Sequence, residues 1–390
     1  MNKPKAILFV IDNFTIGGTV TTIAAYAQIA NKNNFKSIVL GQADNLNNPQ
    51  DYFPHSACII LPKYKQLRFI NKLTAVFLFL KSIRSIYKTY KITHIHFSSV
   101  WSTIYCLLYP KVWHTKRIFT VHNFYALEVQ SQKTVISLFT KFKLLILLHI
   151  QGVCLLFSHN TTTFSAYAES LIRKYYPYLK NRPITIIPGL ITDMNSVDKR
   201  KPYKKPRIYQ LLTIARAEPR KGIRLLLEAI KILTKTNKKI RLKLVSPVSY
   251  YEWSGVLNLY EQLNLENAVH LLHAANESQK NWLFKTSHLA IMPSTDLETF
   301  GIFTIECLAR GIPVIGYDNG ATREILRNVD HRLICHETTA QALAQKIIWF
   351  ANLSEKEVQK LSEKSAMTVK KLFALEKYRA AIKNSIINYR

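Results

Sequence analysis

Short apolar runs alternate along this chain with stretches in which apolar residues recur every three or four positions. The first pattern fits buried parallel strands and the second fits helices packed on them. Ala6 to Ile11 is a strand, stopped by Asp12, and Val20 to Ala30 has helical spacing. Lys36 to Leu40, Cys58 to Leu61, Thr93 to Phe97 and Arg117 to Val121 read as strands, the last leading into His122-Asn123-Phe124. Thr134 to Phe157 is the longest apolar tract, broken by Lys141, Lys143, His149 and Gln151-Gly152. Its pieces fall short of the roughly 18 to 20 residues that span a bilayer. The pattern predicts a helix to about His149, then a strand from Val153 to Phe157. Ser158 to Tyr176 is a strand-end loop and helix, and Pro183 to Gly189 a closing strand.

Asp193 to Arg207, rich in Lys, Asn, Ser and Pro, reads as a linker. The alternation then restarts, with strands at Ile208 to Ala215, Leu242 to Val245, Val269 to Leu272 and His288 to Met292. A helix is expected over Ile223 to Leu233. A second, over Gly301 to Arg310, is too apolar for a surface helix; Gly311-Ile312-Pro313 stops it and Val314 to Gly316 begins the next strand. After Ala321 to Leu326, residues Thr338 to Arg390 are helical by spacing. Strands alternating with helices over 390 residues predict two α/β domains, each built on a parallel sheet.

One unit carries unusual chemistry. Glu306 sits among Ile305, Cys307, Leu308 and Ala309, and a carboxylate on so apolar a helix needs hydrogen-bond donors. Glu298 lies eight residues earlier, in the loop after a strand, so both can reach the carboxyl end of the sheet, where such folds bind ligands. The amides of Phe300, Gly301 and Ile302 open the helix between them, and a helix N-terminus suits an anion. Carboxylates for hydroxyls beside amides for phosphate describe a nucleotide-sugar site. Pairing of Glu306 with a core Arg and capping of the helix by Glu298 are the structural alternative.

The stretch Glu298-x-Phe300-Gly301-Ile302-x-x-x-Glu306-x-x-Ala309-x-Gly311-x-Pro313-Val314 resembles the Glu-x7-Glu signature of retaining glycosyltransferases with the GT-B fold, family 4 in particular. The resemblance extends less sharply over nearly the whole chain. It implies two Rossmann-like domains facing an interdomain cleft: residues 1–192 for the acceptor, a linker at 193–207, and residues 208–375 for a nucleotide sugar. The last helix, about 376–390, should pack back on the first domain. Arg216-Ala-Glu-Pro-Arg-Lys221-Gly222 matches the family's Arg-x4-Lys-Gly loop, whose cations clamp the donor diphosphate. Fixed cations in a dry cleft would stabilise a departing diphosphate without reorganising. Gly17 and Gly18 match the glycine loop that approaches the donor phosphate and acceptor, and His122 a histidine that contacts the donor sugar. The resemblance assigns ribose to Glu306, and sugar to Glu298 with the Phe300 to Ile302 amides. Glu324 looks like the family's helix glutamate and reads as structural. Two departures stand out: Ser246-Pro247 where the family has Gly-x-Gly, and no Asn after Pro188. Replacing Glu298 or Lys221 by Ala is expected to cut turnover by orders of magnitude and leave folding intact.

Charge adds a partner. The net charge is +30, and residues 1–190 hold 22 Lys and Arg against five acids, Asp12, Asp44, Asp51, Glu128 and Glu169. No nucleic-acid motif accompanies that half, so an anionic membrane is the expected partner. Lys63 to Lys91 reads as a basic helix with an aromatic and aliphatic face that can lie among lipid headgroups; an ordinary core-facing helix is the alternative. The tract before Phe157, with flanking lysines, fits the same monotopic attachment. Five scattered cysteines give neither a disulfide frame nor zinc spacing, and the chain begins without a signal-peptide pattern. His94 and His96 share a strand face but lack a third ligand, so no metal is expected, and no cofactor beyond the nucleotide-sugar substrate.

The expected function is a retaining glycosyltransferase of cell-surface polysaccharide or glycolipid synthesis, cytoplasmic and peripheral on the inner face of the membrane. Its partners would be a nucleotide-diphosphate sugar and an acceptor glycan or lipid-linked sugar. A catalytically silent binding protein of the same fold, a nucleic-acid binder using the basic half, and an inverting or phosphorylase-type enzyme remain alternatives.

Overall fold

In a computed structural model the alternation becomes two sheets, each parallel throughout. The structure describes residues 3–14, 18–42, 49–61, 69–122, 124, 138–188, 203–236, 239–246, 250–273, 275–296 and 298–388. The chain divides into two compact units, Met1–Leu190 with Leu375–Arg390, and Ile191–Ala374.

The first unit holds β1 (Lys5–Asn13), α1 (Gly18–Lys32), β2 (Lys36–Gln42), β3 (Ala57–Leu61), α2 (Phe69–Thr89), β4 (Lys91–Phe97) and α3 (Val100–Leu107). It continues with β5 (Lys116–Thr120), α4 (Leu138–Phe157), β6 (Asn160–Thr163), α5 (Ala166–Tyr175) and β7 (Ile184–Ile186). The strand order is β3-β2-β1-β4-β5-β6-β7. β1 and β2 are almost wholly buried because helices cover both faces, which is why they read as continuous apolar runs.

The second unit holds β8 (Tyr209–Ile214), α6 (Ile223–Thr236), β9 (Ile240–Val245), α7 (Tyr250–Gln262), β10 (Val269–Leu272), α8 (Glu277–Lys285) and β11 (Leu289–Met292). Then come α9 (Ile302–Ala309), β12 (Val314–Tyr317), α10 (Gly320–Val329), β13 (Ile334–Cys335), α11 (Ala340–Asn352) and α12 (Glu355–Leu372). Its order is β10-β9-β8-β11-β12-β13. Each sheet therefore reverses direction once, between β1 and β4 and between β8 and β11, and the crevice outside such a reversal is where open α/β sheets take ligands. α13 (Leu375–Ile382) and a π turn (Lys383–Ile387) return to the first unit, where Tyr378, Ile382 and Ile386 join the core of Ile23, Tyr26 and Phe9.

Several expectations need correction. No strand forms at Val153 to Phe157; α4 runs unbroken to Phe157 and the strand is β6, four residues of Asn-Thr-Thr-Thr. Gly152 does not break α4, and the helix passes close to Tyr178 there: a Cβ on Gly152 would stand 1.9 Å from the Tyr178 hydroxyl. β6 is buried despite its polarity, with part of that polarity paired: Thr162 with Thr120, and Asn160 Nδ2 donating to Ser385 O at 3.1 Å, while Asn160 Oδ1 and Thr163 Oγ1 find no partner among the described residues. β1 runs past Asp12 to Asn13. The helical tract from Thr338 is three helices, with Ser354 and Glu357 forming a capping box at the first break. Tyr203 and Lys205, within the expected linker, donate backbone hydrogen bonds to Gln359 (2.8 Å) and Glu355 (2.7 Å) of α12; residues 193–202 lie outside the described residues.

The basic tract Lys63 to Lys91 is α2 from Phe69; Lys63, Lys65 and Arg68 lie outside the described residues. Among its described side chains α2 buries Phe79, Ile83 and Ile86 and turns Lys81, Arg84 and Lys88 outward, with Phe77 65% exposed on the same outward face. A longer exposed apolar stripe lies on α4. Phe142, Leu145, Ile146, Val153 and Leu156 are each at least 40% exposed, at spacings that keep one helix face. Leu144, Leu147, Cys154 and Leu155 are buried on the other.

Candidate active site

The loops that follow β8, β11 and β12 meet at the reversal of the second sheet, and three left-handed glycines let them approach. Gly222 ends the turn after β8 at φ +65°, and a Cβ there would stand 1.9 Å from Pro293 O. That closeness lets Arg220 O accept the Thr295 and Asp296 amides at 3.0 and 3.3 Å. Gly320 opens α10 at φ +54°, with a virtual Cβ 2.4 Å from Glu298 O, which accepts the Ala321 amide at 2.7 Å. Gly301, at φ +77°, is the N-cap of α9. The Glu298 backbone is thus clamped between α9 and α10.

Across this junction Lys221 Nζ lies 2.5 Å from Glu298 Oε2, and the two side chains are 13% and 14% exposed. Glu298 Oε1 also accepts the Gly301 amide at 3.3 Å. Burial opposes ionisation of Glu298, but the charge and hydrogen bond of Lys221, the charge of Arg220 and the Gly301 amide together outweigh it. Its pKa lies below the ordinary carboxylate value. Phe300 is buried, its ring 6.4 Å from Phe373, and Ile302 faces outward.

Arg216 reaches neither glutamate of the signature: its Nη1 is 2.9 Å from Glu218, which also holds Arg220 at 2.8 Å. Glu306 does find a donor within the protein. Lys280 of α8 places Nζ 2.7 Å from Glu306 Oε1, and Arg310 Nη1 donates to Glu306 O at 3.0 Å. So both structural alternatives hold in part: Glu298 accepts a helix-opening amide and Glu306 pairs with a cation, though a Lys rather than a core Arg. Sequence reasoning missed Lys280. Asn276-Glu-Ser-Gln279 is a capping box that marks the start of α8, but nothing local says which carboxylate the next lysine reaches.

Three buried hydroxyls by these loops, Ser294 Oγ, Thr304 Oγ1 and Thr322 Oγ1, have no hydrogen-bond partner among the described residues. The last two lie 3.6 Å from where a Gly301 Cβ would be. Among the described residues no three His, Cys, Asp or Glu side chains group as metal ligands.

The remaining candidates belong to the first unit. His122 follows β5, half-buried, with Nε2 buried and unpartnered among the described residues and its ring 5.0 Å from Phe164. Burial pulls its pKa down to about 3, so the ring is neutral. His96, fully buried, bonds Thr120 Oγ1 at 2.7 Å and is likewise held near 3 by burial and then by His122. Asp12 accepts a hydrogen bond from Ser99 Oγ across the reversal of the first sheet. Gly18 opens α1; Gly17 lies outside the described residues.

Residues 195–367 match the family model described as Glycosyl transferases group 1, and residues 16–192 the one described as Glycosyltransferase Family 4. A probable sucrose-phosphate synthase of Thermosipho melanesiensis is 24% identical over 272 residues, 66% of this chain and 63% of that protein. An alpha-1,3/1,6-mannosyltransferase of Dictyostelium discoideum is 26% identical over 205 residues, 45% of this chain and 48% of its own. The chain spans less than two thirds of the length of either. Of solved structures, a sucrose-phosphate synthase from Thermosynechococcus elongatus matches with TM-score 0.76 at 17% identity, over 96% of both chains. The Anabaena protein HepE, in complex with UDP and glucose, matches with TM-score 0.72 at 16% identity, over 96% of this chain and 97% of that one. At such identities the likeness is one of fold.

Proposed function

We propose a reaction on the premise that this chain belongs to the glycosyl transferases group 1, with a Family 4 first half, and is a glycosyltransferase of GT-B architecture. It moves a sugar from a nucleoside-diphosphate donor to an acceptor glycan or lipid-linked sugar, with retention of anomeric configuration. The observation that carries this reading is the Lys221–Glu298 pair, buried where the second sheet reverses. An ammonium and a carboxylate side by side offer one end to phosphate and the other to sugar hydroxyls. The solved neighbour bound to UDP and glucose supports the same class of donor.

In this reading Lys221 keeps one N–H on Glu298 and turns another to the diphosphate, while Arg216 leaves Glu218 for the diphosphate. Arg216's side chain is 54% exposed, so giving up that ion pair costs less than about 1 kcal/mol. As the C1–oxygen bond to the diphosphate breaks, charge gathers on the leaving oxygens, and the fixed cations stabilise it more than the ground state. The acceptor oxygen bonds C1 on the same face, and its proton passes to the departing diphosphate. Glu298 and the amides from Phe300 to Ile302 orient the sugar, once Gly301's bond to Glu298 is given up. Glu306 accepts a ribose hydroxyl, neutral His122 meets a sugar hydroxyl, and Gly17 and Gly18 approach the phosphate and acceptor. The electrostatic work falls to Arg216 and Lys221 without a divalent cation or other cofactor.

The acceptor is met at an anionic membrane surface on the cytoplasmic side, in cell-surface polysaccharide or glycolipid synthesis. Among the described residues no helix is long and apolar enough to cross a membrane. The α4 stripe, in a half with 22 cations and five acids, supports attachment in the headgroup plane. A thermal-shift screen of nucleoside diphosphates and their sugars identifies the donor, and the anomeric configuration of the product decides retention. Wild-type turnover in Glu298→Gln would overturn the assignment of that carboxylate.

A further inference from the structure

The geometry points to Lys280 as a positioning residue that aims Glu306 at the ribose of the nucleotide. This rests on the donor reading above and adds a residue to it. α9 buries Phe303, Thr304, Ile305, Cys307, Leu308 and Ala309, leaving Glu306 as its polar exception, with an 18% exposed side chain. A glutamate has three rotatable side-chain bonds, and ordering such a side chain costs on the order of 1 to 2 kcal/mol. An unheld carboxylate would meet that cost each time a nucleotide binds.

Lys280 removes the freedom beforehand. Its Nζ sits 2.7 Å from Oε1, and Oε2 has no partner among the described residues. Asn276 and Gln279 cap α8 just before the lysine and order its backbone, and its ammonium lies 5.8 Å from the Phe284 ring centre. Arg310, the other nearby cation, lies over the same ring at 4.4 Å and donates to the Glu306 carbonyl, so it does not replace Lys280 at the carboxylate. One oxygen is anchored and the other is left to accept. A site built to bond a hydroxyl discriminates against a ligand that lacks it, because the carboxylate is then left short of a donor.

The test compares UDP, ADP and GDP with their 2′-deoxy and 3′-deoxy forms on the full chain by titration calorimetry. The variants are Lys280→Met, Lys280→Arg, Glu306→Gln and the Met/Gln double. Wild type should prefer the ribo form of its best diphosphate over at least one deoxy form by about tenfold or more. Lys280→Met should weaken the ribo form by about tenfold and flatten that preference, and Lys280→Arg should restore much of it. The double variant should bind no worse than Glu306→Gln alone, because Lys280 acts only through that carboxylate. With donor sugar the loss should fall on KM more than on kcat, a split that a merely folded-state role would not produce. If Lys280→Met keeps the ribose preference, tightens binding, or adds its full effect to Glu306→Gln, the positioning role is overturned and the donor reading stands. If no diphosphate binds wild type, both are overturned.

Discussion

Replacing Lys221 by methionine keeps the stem of the side chain and removes the charge that faces Glu298. With Nζ 2.5 Å from Oε2, Coulomb attraction at an effective dielectric of about 20 is worth roughly 7 kcal/mol before desolvation is charged against it. Both groups are largely buried, so most of that is offset, but leaving one partner alone costs about 3 to 5 kcal/mol. For a unit the size of residues 191–374, each kcal/mol moves Tm by about 2 to 4 °C, so a drop of about 10 °C is expected at pH 7. Adding Glu298→Gln should recover at least about 2 kcal/mol, because no bare carboxylate remains. The pH dependence has a definite sign. In wild type the folded pKa of Glu298 is depressed, so its contribution is present above the ordinary value of 4.5 and lost as pH falls through the folded value. Without Lys221, burial dominates and lifts the folded pKa, so the variant's deficit is largest near neutrality and shrinks toward pH 4. The assay is thermal unfolding of both variants from pH 4 to 8, with turnover measured alongside and expected to fall about 10²- to 10³-fold. An unchanged Tm at pH 7, or a double variant no more stable than Lys221→Met, would refute the argument. For either single replacement the pair therefore predicts a folded but less stable chain.

Gly222→Ala and Gly320→Ala place a Cβ 1.9 Å from Pro293 O and 2.4 Å from Glu298 O, in left-handed backbone. Each should cost at least about 1 to 3 kcal/mol in unfolding measurements and lower turnover by spreading the loops. Ile146→Glu with Val153→Glu puts charge into the α4 stripe; co-sedimentation with phosphatidylglycerol vesicles should weaken by about tenfold or more, since half-burying a large apolar side chain is worth ~1 kcal/mol. Unaltered sedimentation would remove α4 from the membrane. Burial holds His96 and His122 near pKa 3 when folded, against 6.5 in the unfolded chain, so the stability they lend above pH 6.5 is lost as pH falls. The loss should approach about 1.4 kcal/mol per pH unit for each histidine. A Tm that stays flat from pH 7 to 4.5 would contradict it, and His96→Gln should remove its share of the slope.

What the sequence determined by itself is what local spacing encodes. The strand-helix alternation, the Glu298–Glu306 interval, the stop at Gly311 to Pro313 and the Arg216 to Gly222 loop are legible because each depends on a few neighbouring residues. The α/β class followed from those, and they carried the resemblance to the family whose models match the chain. The tract to Phe157 forms helix rather than strand at its end, a choice its spacing does not make, because a short apolar run suits a buried strand and a buried helix equally. β6 escaped notice because Asn-Thr-Thr-Thr looks like surface until Thr120 and Ser385 appear beside it. The tertiary structure alone decided which charges meet. Lys221 and Glu298 are 77 residues apart and Lys280 and Glu306 26, and no periodicity along a chain records the close approach of two helices or two loops. Pairing strength depends on distance and burial, and both exist only once the sheet has reversed between β8 and β11 and brought those loops to one edge.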